Sequence, residues 1–411
     1  MKIRSITYFI NPGWPLDENK FQTAGRFLNE AKSAFESESY EVQTMRLATV
    51  PFPQLLENKI EETPKLAEAI ESLMSSIGVE YASLGPAFPN GPGSYEIIPE
   101  AIAQTENVFF SGVMADNHNG ISLEAVRACA KVIVRCAPFT PDGFANLRFA
   151  ALANVLPGAP FFPAAYHQGD RPAFALATEA ADLAVKVFKD SKSINEGQEA
   201  LVASLESHGG TLASVARKLQ FRFGTQFGGI DFSLAPFPTD EQSLGKAVEV
   251  MGIPKVGLHG SLAAASILTE AVDRANFPHT GFNGFMQPVL EDAVLAKRAA
   301  EGTLTIKDLL LYSAVCGTGL DTVPLPGNVT ADQIAALLLD LSALALRLDK
   351  PLTARLMPIP GKKAGDPAGF DFAFFANSKV MALEAEKLGG VFSRNELFQL
   401  RPHKSQSLSG S

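Results

Sequence analysis

Runs of β-favouring residues alternate along the chain with segments of helical hydrophobic spacing, and this alternation constrains the fold more than any other feature. Residues 2–10, "KIRSITYFI", are β-rich, and residues 18–38 carry apolar side chains at the spacing of an amphipathic helix, with Asp17 as its candidate N-cap. Further strands are predicted at 41–49, 79–88, 107–115, 159–169 and 228–238, and further helices at 64–77, 121–136, 194–220, 259–275 and 330–349. Strands that alternate with helices predict an α/β fold.

The composition bounds the size of the core and the number of domains. The 411 residues are 46% hydrophobic and 19% charged, which is enough apolar material for a large core. Because no sharp change of composition marks a linker, we expect one large α/β domain over residues 1–400. We expect the tail at 401–411 to be disordered or a cloning remnant. The alanine-rich helices leave little charge to keep surfaces apart, so a homo-oligomer is expected.

Charge, hydropathy and cysteine usage argue against several classes of protein. A net charge of −9, without a cluster of Lys and Arg, predicts no nucleic-acid partner. No apolar stretch is long enough for a signal peptide or a membrane helix, so we expect a soluble, cytoplasmic protein with no membrane partner. The three cysteines, Cys129, Cys136 and Cys316, suit neither a disulfide framework nor a metal-binding spacing.

Polar side chains are concentrated in loops that we expect at the carboxyl ends of strands, where α/β folds gather their ligands. The candidate catalytic residues are Asp231, His259, Cys316 and Asp321. The candidate substrate-binding residues are His118, Asn119, His167, Ser233, Asn283, Lys362 and Lys363. Oxygen and imidazole ligands for a divalent metal are offered by Asp116, His118, Asp231, Glu291 and Asp292. A small-molecule ligand is the expected partner.

Each candidate also has a structural interpretation. Residues 116–119 fit an Asx turn, and Glu291 with Asp292 fits the first turn of a helix, where acids favour the macrodipole. Asp231 lies in a strand-like apolar run, where a carboxylate is costly to bury unless it is paired. The two lysines of "PGKKAGD", residues 360–366, fit either an anion clamp or an exposed turn.

The stretch "AVCGTGLDTVPLPG", residues 314–327, places one thiol and one acid beside several glycines and prolines. Its glycine spacing lacks the dinucleotide-binding pattern, and the chain has no P-loop and no nucleophile-elbow motif. We interpret the stretch as a rigid inner loop that lines a pocket. Of its side chains, Asp321 carries at least as much weight as Cys316, because a lone cysteine is more often a small buried hydrophobe.

Four stretches in this order, "MKIRSIT", "GGIDFSLAPFP", "CGTGLDTVPLPG" and "PGKKAGD", resemble an uncharacterised family, domain of unknown function 711, also called uncharacterised protein family 0210. The resemblance covers residue 1 to about residue 395. That family is grouped with the pyruvate formate-lyase-like glycyl radical enzymes, so the resemblance implies a ten-stranded α/β barrel of two five-stranded halves with an inner loop. In the radical enzymes the inner loop carries a catalytic cysteine, and "AVCGTGL" is the candidate for that place.

The radical mechanism itself lacks its second motif. The closest stretch near the C-terminus, "KLGGVFSRN", has neither the preceding arginine nor the aromatic residue directly after the glycine. We therefore expect a non-radical enzyme, of lyase, hydrolase or isomerase type, that acts on a small polar metabolite by acid/base or metal-assisted chemistry. The alternative is a metabolite-binding regulatory protein on a catalytically inactive barrel of this type.

Overall fold

The computed structural model describes residues 1–57, 59–91, 93–315 and 318–403. The strands are β1 (Lys2–Ile10), β2 (Val42–Thr49), β3 (Tyr81–Ala87), β4 (Val108–Asp116), β5 (Gly120–Ser122), β6 (Phe149–Ala153), β7 (Ala173–Glu179), β8 (Gln226–Ala235), β9 (Gly319–Pro326), β10 (Leu352–Ile359), β11 (Pro367–Ala368), β12 (Ser378–Lys379) and β13 (Leu397–Phe398). The α-helices are α1 (Glu18–Ser37), α2 (Phe52–Leu55), α3 (Thr63–Ser76), α4 (Ile98–Gln104), α5 (Leu123–Cys136), α6 (Ala181–Asp190), α7 (Ile194–Phe223), α8 (Leu244–Val250), α9 (Ser261–Arg274), α10 (Ala293–Glu301), α11 (Ile306–Ser313) and α12 (Ala331–Leu348). Short 3-10 helices lie at Ile60–Glu62, Ala137–Phe139, Phe144–Arg148, Asp240–Gln242 and Gly390–Ser393.

One large central sheet contains 11 of the described strands. Its hydrogen-bonded path runs β8–β7–β1–β2–β3–β4–β6–β10–β9, and β5 joins β4 to β13 beside this path. The strands β1, β2, β3, β4 and β6 are parallel, whereas β7 is antiparallel to β1 and β10 is antiparallel to β6. The predicted α/β class is therefore confirmed as a mixed α/β fold with a large sheet, and no closed barrel is detected among the described strands.

Helices cover one face of this sheet, and the main hydrophobic core lies between these helices and the sheet. Helix α1 packs on β1 and β2, α5 packs on β4, and α12 packs on β6 and β10. Phe27 of α1 lies in this core, with its ring centroid 5.3 Å from that of Tyr8 and 4.7 Å from that of Phe174. Burying a ring of this kind contributes about 1.5–3 kcal/mol, so many such contacts hold the helices on the sheet.

The helix starts follow from local sequence. The predicted N-cap Asp17 accepts a hydrogen bond from the backbone N–H of Asn19 at 3.0 Å. Thr330 and Gln333 form a complete capping box at the start of α12. Helix α7 runs unbroken through Gly209 and Gly210, and a Cβ at Gly209 would lie 2.8 Å from Cβ of Phe277. That glycine permits a close contact and does not break the helix.

The opposite face of the sheet is covered by residues 157–167, which have no regular secondary structure. Phe161 packs in one small apolar cluster on this face and Phe162 in another, which also contains Phe109. The strand predicted at 159–169 is therefore wrong. Prolines at 160 and 163 have no N–H to donate to a strand ladder, so the apolar run packs across the sheet without joining it.

The stretch predicted as an inner loop contributes strand β9. Gly319 has a φ of +93°, and a Cβ there would lie 2.3 Å from the carbonyl oxygen of Thr353 on β10. Glycine is needed because the two backbones approach so closely. Asp321 thus lies within a strand, while Cys316 lies outside the described residues.

No helix in the described parts of the chain is long and apolar enough to cross a membrane.

Candidate functional site

A cavity of about 260 Å³ lies against the sheet face that residues 157–167 cover. Strands supply most of its polar lining: Arg4, Thr44, Arg46, Tyr81, Thr178, Asp231, Ser233 and Arg355. The apolar lining comes from Phe109, Phe144, Leu147, Phe161, Phe162, Met286, Phe372 and Phe374. The exposed side chain of Glu106 also borders the cavity, so the cavity reaches solvent. Polar groups set in an apolar wall are typical of small-molecule sites.

The cavity lies near the amino ends of several parallel strands. Tyr81 is the first residue of β3, Asn107 directly precedes β4, and Arg148 directly precedes β6. At the carboxyl end of β2 the backbone N–H of His167 donates to the carbonyl oxygen of Thr49 at 2.9 Å, so the covering segment occupies that end. The candidate site therefore differs in position from the carboxyl-end loops expected from the sequence.

Arg46 on β2 is a cavity cation that has no ion pair with the described residues. Its Nε donates to Oγ1 of Thr44 at 2.9 Å, and its terminal nitrogens make no hydrogen bond or ion pair with any residue that the structure describes. The guanidinium lies over two rings, 5.1 Å from the centroid of Phe162 and 5.8 Å from that of Tyr81. Burial, reinforced by the charge of Arg4, lowers the pKa of Arg46 to about 9.

Two arginines and two carboxylates form a buried ionic network beside Arg46. Arg355 on β10 donates to Asp321 from Nε at 2.5 Å and from Nη2 at 3.0 Å, and Nη2 also donates to Oε1 of Glu291 at 2.7 Å. Arg4 donates to the other oxygen of Glu291. Burial alone would raise the pKa of Glu291, but Arg4 and Arg355 hold it below its usual range. Burial raises the pKa of Asp321 even though Arg355 opposes the effect.

Asp231 and Ser233 form a second polar group on the cavity wall. The Ser233 hydroxyl donates to Oδ1 of Asp231 at 2.6 Å. The carboxylate also accepts from the backbone N–H groups of Ser233 at 3.0 Å, Phe282 at 2.9 Å and Asn283 at 3.1 Å. Burial raises the pKa of Asp231, and these hydrogen bonds oppose the rise. The pair therefore fixes the turn at 281–284 and also presents an acid and a hydroxyl to the cavity.

The structure brings together five of the candidates predicted from the sequence. Asp231, Ser233 and Glu291 line the cavity, Asp321 pairs with its Arg355, and Asn283 contacts Asp231. This group contains acids from both the catalytic and the metal-ligand predictions. It joins β8, β9 and the segment before α10, which are far apart in sequence.

Other candidates lie away from the cavity, either in structural hydrogen bonds or at the surface. Asp116 accepts from the backbone N–H groups of His118 and Asn119 at 2.8 and 2.7 Å, as an Asx turn would. Asp292 caps α10 and also accepts from the N–H of Leu244 at 2.6 Å. His259, Lys362 and Lys363 are exposed, and His167 is buried outside the cavity lining.

The five predicted metal ligands do not form a single ligand set. Asp116 and His118 belong to the turn after β4, Asp292 is committed to helix capping, and only Asp231 and Glu291 line the cavity. Among the residues described here, no three His, Cys, Asp or Glu side chains lie close enough together to hold a metal ion.

Sequence reasoning missed the arginines of the site. Arg4, Arg46 and Arg355 each interrupt a β-rich apolar run: "KIRSITYFI", "VQTMRLAT" and "LTARLMPI". Arginine is rarely buried unless it is paired, so a single arginine inside each of three strands was the available signal. Glu179 was missed as well; it is buried at the end of β7 and accepts a hydrogen bond from Gln43 at 2.7 Å.

The fold and the site together define a mixed α/β protein whose large sheet carries a metabolite-sized cavity beside a buried ionic network. The family model described as "Uncharacterised ACR (DUF711)" matches residues 1–374. The chain belongs to this family, as the resemblance of its sequence motifs implied.

Relatives in this family come from distant organisms. A UPF0210 protein of Pyrobaculum arsenaticum is 33% identical over 344 residues, which cover 79% of this chain and 75% of that protein. One from Methanopyrus kandleri is 32% identical over 73% of this chain and 70% of that protein. One from Neisseria meningitidis is 27% identical over 86% of this chain and 82% of that protein.

Proposed function

We propose that this protein is an enzyme that binds a small anionic metabolite in the cavity and transfers a proton by acid/base chemistry, without a glycyl radical. The observation that carries the proposal is Arg46, a cavity-lining guanidinium with no carboxylate partner among the described residues. A partly desolvated charge without a counter-ion is costly, and an anionic ligand would remove that cost. The planar fork of a guanidinium matches a carboxylate or phosphate group.

Asp231 and Ser233 are the proposed proton-transfer pair. They lie within 2.6 Å of each other and both border the cavity, which is the geometry that a general acid/base pair needs. Because burial raises the pKa of Asp231, its carboxyl group is better suited than an exposed one to take up a proton and return it. A lyase, isomerase or hydrolase step that begins with proton abstraction would use such a pair.

A metabolite-binding regulatory protein is the second candidate, and the hydrogen bonding of Asp231 favours it. The two oxygens of this carboxylate already accept four hydrogen bonds from Ser233, Phe282 and Asn283. In the regulatory protein, this carboxylate would have the single role of fixing the turn at 281–284. In that case Arg46 would still bind the anion, and no proton would be transferred.

Ligand screening followed by substitution separates these possibilities. The full chain is screened with small carboxylates and phosphates. Binding is measured by thermal stabilisation, and turnover is measured by proton NMR. For an enzyme, Ser233→Ala should lower kcat by about a hundredfold, with substrate affinity nearly unchanged. The exposed Ser214→Ala is the matched control and should leave kcat unchanged. Binding without turnover favours the regulatory protein. If no anion binds in a way that depends on Arg46, both proposals are refuted.

We also propose that residues 278–290 complete the sheet into the ten-stranded barrel that the resemblance implies. This segment makes isolated bridges to both edge strands, His279 with Ile230 of β8 and Pro288 with Asp321 of β9. Leu234 of β8 also donates its backbone N–H to the carbonyl oxygen of Gly284 at 3.2 Å. Hydrogen exchange tests the idea: the Leu234 amide should exchange as slowly as amides of β1, and fast exchange would contradict closure.

The cytoplasmic location, a divalent metal and the homo-oligomer also remain proposals. Cys129 and Cys136 are buried free thiols, which supports a reducing compartment. Asp231 and Glu291 are the cavity carboxylates that would offer oxygen ligands to a metal. Phe221 is 93% exposed, which supports an apolar contact between copies. Cell fractionation, elemental analysis and light scattering test the three in turn.

A further inference from the structure

We infer that the ligand of this cavity is a carboxylate monoanion that carries one planar ring. The inference rests on the function proposed above and narrows its substrate class. Arg46 receives the carboxylate, and the aromatic side chains around it receive the ring. Three properties of the cavity lead to this ligand: the number of unengaged cations, the nature of the wall and the volume.

The first property is that the other strand cations are already matched by acids. Arg355 pairs with Asp321 and Glu291, and Arg4 pairs with Glu291. These contacts join protein groups to one another, so they leave Arg46 as the cation that an incoming anion can engage without breaking an existing pair.

The remaining cavity arginine is engaged by backbone. Arg148 donates from Nη2 to the carbonyl oxygen of Ile102 at 2.9 Å, and from Nη1 to the carbonyl oxygen of Thr105. A phosphate dianion would therefore meet one available guanidinium and find no second cation without disrupting local structure. One bidentate carboxylate matches one guanidinium in charge and in shape.

The second property is the aromatic wall. The ring centroids of Phe109 and Phe162 lie 5.4 Å apart in an edge-to-face arrangement, and Tyr81 meets Phe109 in the same way at 5.4 Å. Phe161 lies beneath the guanidinium of Arg355, 5.7 Å from it, and Phe374 borders the cavity from the segment between β11 and β12. A planar ring continues this edge-to-face packing, whereas a ligand with many hydroxyl groups would leave them unpaired against the rings.

The third property is the volume. An engineered apolar cavity of about 150 Å³ holds benzene in another protein. The volume of about 260 Å³ here therefore admits one ring with a short carboxylate-bearing substituent. A dinucleotide would be far too large.

Titration of the full chain with four simple compounds tests the inference. Benzoate has the ring and the charge, acetate has only the charge, benzamide has only the ring, and phenyl phosphate has the ring with a second charge. Dissociation constants are measured by ligand-observed NMR, which detects millimolar affinity. Benzoate should bind at least about tenfold more tightly than acetate and benzamide, because it gains both contacts, and phenyl phosphate should bind no more tightly than benzoate.

Variants assign the binding to the cavity. Arg46→Gln should weaken benzoate binding by about tenfold or more, and Arg46→Lys should give an intermediate loss, because lysine keeps the charge and loses the fork. The exposed Arg217→Gln on α7 is the matched control, and should change the affinity by less than about twofold. Phe162→Leu should weaken benzoate binding and leave acetate binding unchanged. Circular dichroism checks folding, and if Arg46→Gln does not fold, the Lys and Leu variants decide the matter.

Each other outcome overturns a defined part of the reasoning. If acetate binds as tightly as benzoate and both depend on Arg46, the ring is wrong while the proposed anion-binding function stands. If phenyl phosphate binds tenfold more tightly than benzoate, the carboxylate is wrong. If benzoate binds equally well to Arg46→Gln, the site is wrong. If no anion binds in an Arg46-dependent way, the proposed function fails with it.

Discussion

The substitution Asp321→Asn tests whether the buried ionic network stabilises the β9 edge of the sheet. Asp321 on β9 is 1% exposed, and its partner Arg355 on the adjacent β10 is 6% exposed. Asparagine keeps the shape of the side chain but removes its charge and turns one acceptor oxygen into an NH2 donor. At least one of the two hydrogen bonds from Arg355 is therefore lost, while Glu291 remains as the second partner of Arg355.

The expected loss of stability follows from the burial of the pair. Removing one partner from a buried ion pair costs about 3–5 kcal/mol. Glu291 still neutralises Arg355, and burial raises the pKa of Asp321, so a neutral amide avoids part of the cost of burying a charge. We therefore expect about 3 kcal/mol. With about 2.1 cal/mol/K of unfolding entropy per residue, 411 residues give about 0.9 kcal/mol/K, and Tm falls by about 3–4 °C.

Differential scanning calorimetry at pH 7 measures this change. The matched control is Asp190→Asn, at the exposed end of α6, where the carboxylate has no ion pair among the described residues, and it should change stability by less than about 0.5 kcal/mol. A double-mutant cycle with Arg355→Met should give clear non-additivity, because the two side chains share hydrogen bonds. An unchanged Tm for Asp321→Asn, or purely additive losses in the cycle, would refute the reasoning.

Three further predictions concern the same fold and site. Glu291→Gln should lower the free energy of unfolding at pH 7. This loss should shrink as the pH falls from about 4.3 through the lower folded-state pKa of Glu291, because the wild type loses its stabilising charge in that window. Denaturant titrations from pH 7 to pH 3 measure the difference between variant and wild type, and a pH-independent difference contradicts the prediction. Gly281→Ala should cost about 2 kcal/mol or more, because φ is +74° and the new Cβ would lie 2.3 Å from Oδ2 of Asp231; an unchanged unfolding midpoint would count against it. At most one of the three thiols of the native protein should react quickly with Ellman's reagent. Cys129 and Cys136 are buried, and burial raises the pKa of Cys129 and raises that of Cys136 to about 12, so neither forms the reactive thiolate readily. Fast reaction of two thiols without denaturant contradicts this prediction.

Local sequence determined the helices closely. The helix predicted at 18–38 is observed at Glu18–Ser37, and the one at 121–136 is observed at Leu123–Cys136. Amphipathic spacing and capping side chains act within a few residues, so they can be read from the chain without knowing its partners. The same holds for β1, whose observed bounds match the predicted run at 2–10.

The acids of the candidate site were also predicted from the sequence. Asp231 was singled out because a carboxylate among apolar residues needs a partner when it is buried, whereas Glu291 was a candidate metal ligand and Asp321 was the acid of the expected inner loop. Their partners could not be predicted, since Arg355 lies 34 residues from Asp321 and 64 residues from Glu291. Arg4 lies 287 residues from Glu291. Contacts over such distances depend on how the sheet is ordered.

The amino-acid sequence by itself thus determined the α/β class, the helices and one acid, Asp231, that requires partners when it is buried. Tertiary structure alone decided that the apolar run at 159–169 covers the sheet without joining it, and that residues 319–326 form an edge strand. It also decided that Arg46 lies over two rings in the cavity, with no carboxylate at ion-pair distance among the described residues. The reason is physical: apolar burial is non-directional, so it stabilises an apolar run that packs on a sheet as well as one that joins it, and backbone hydrogen bonding and close backbone approach select between the two.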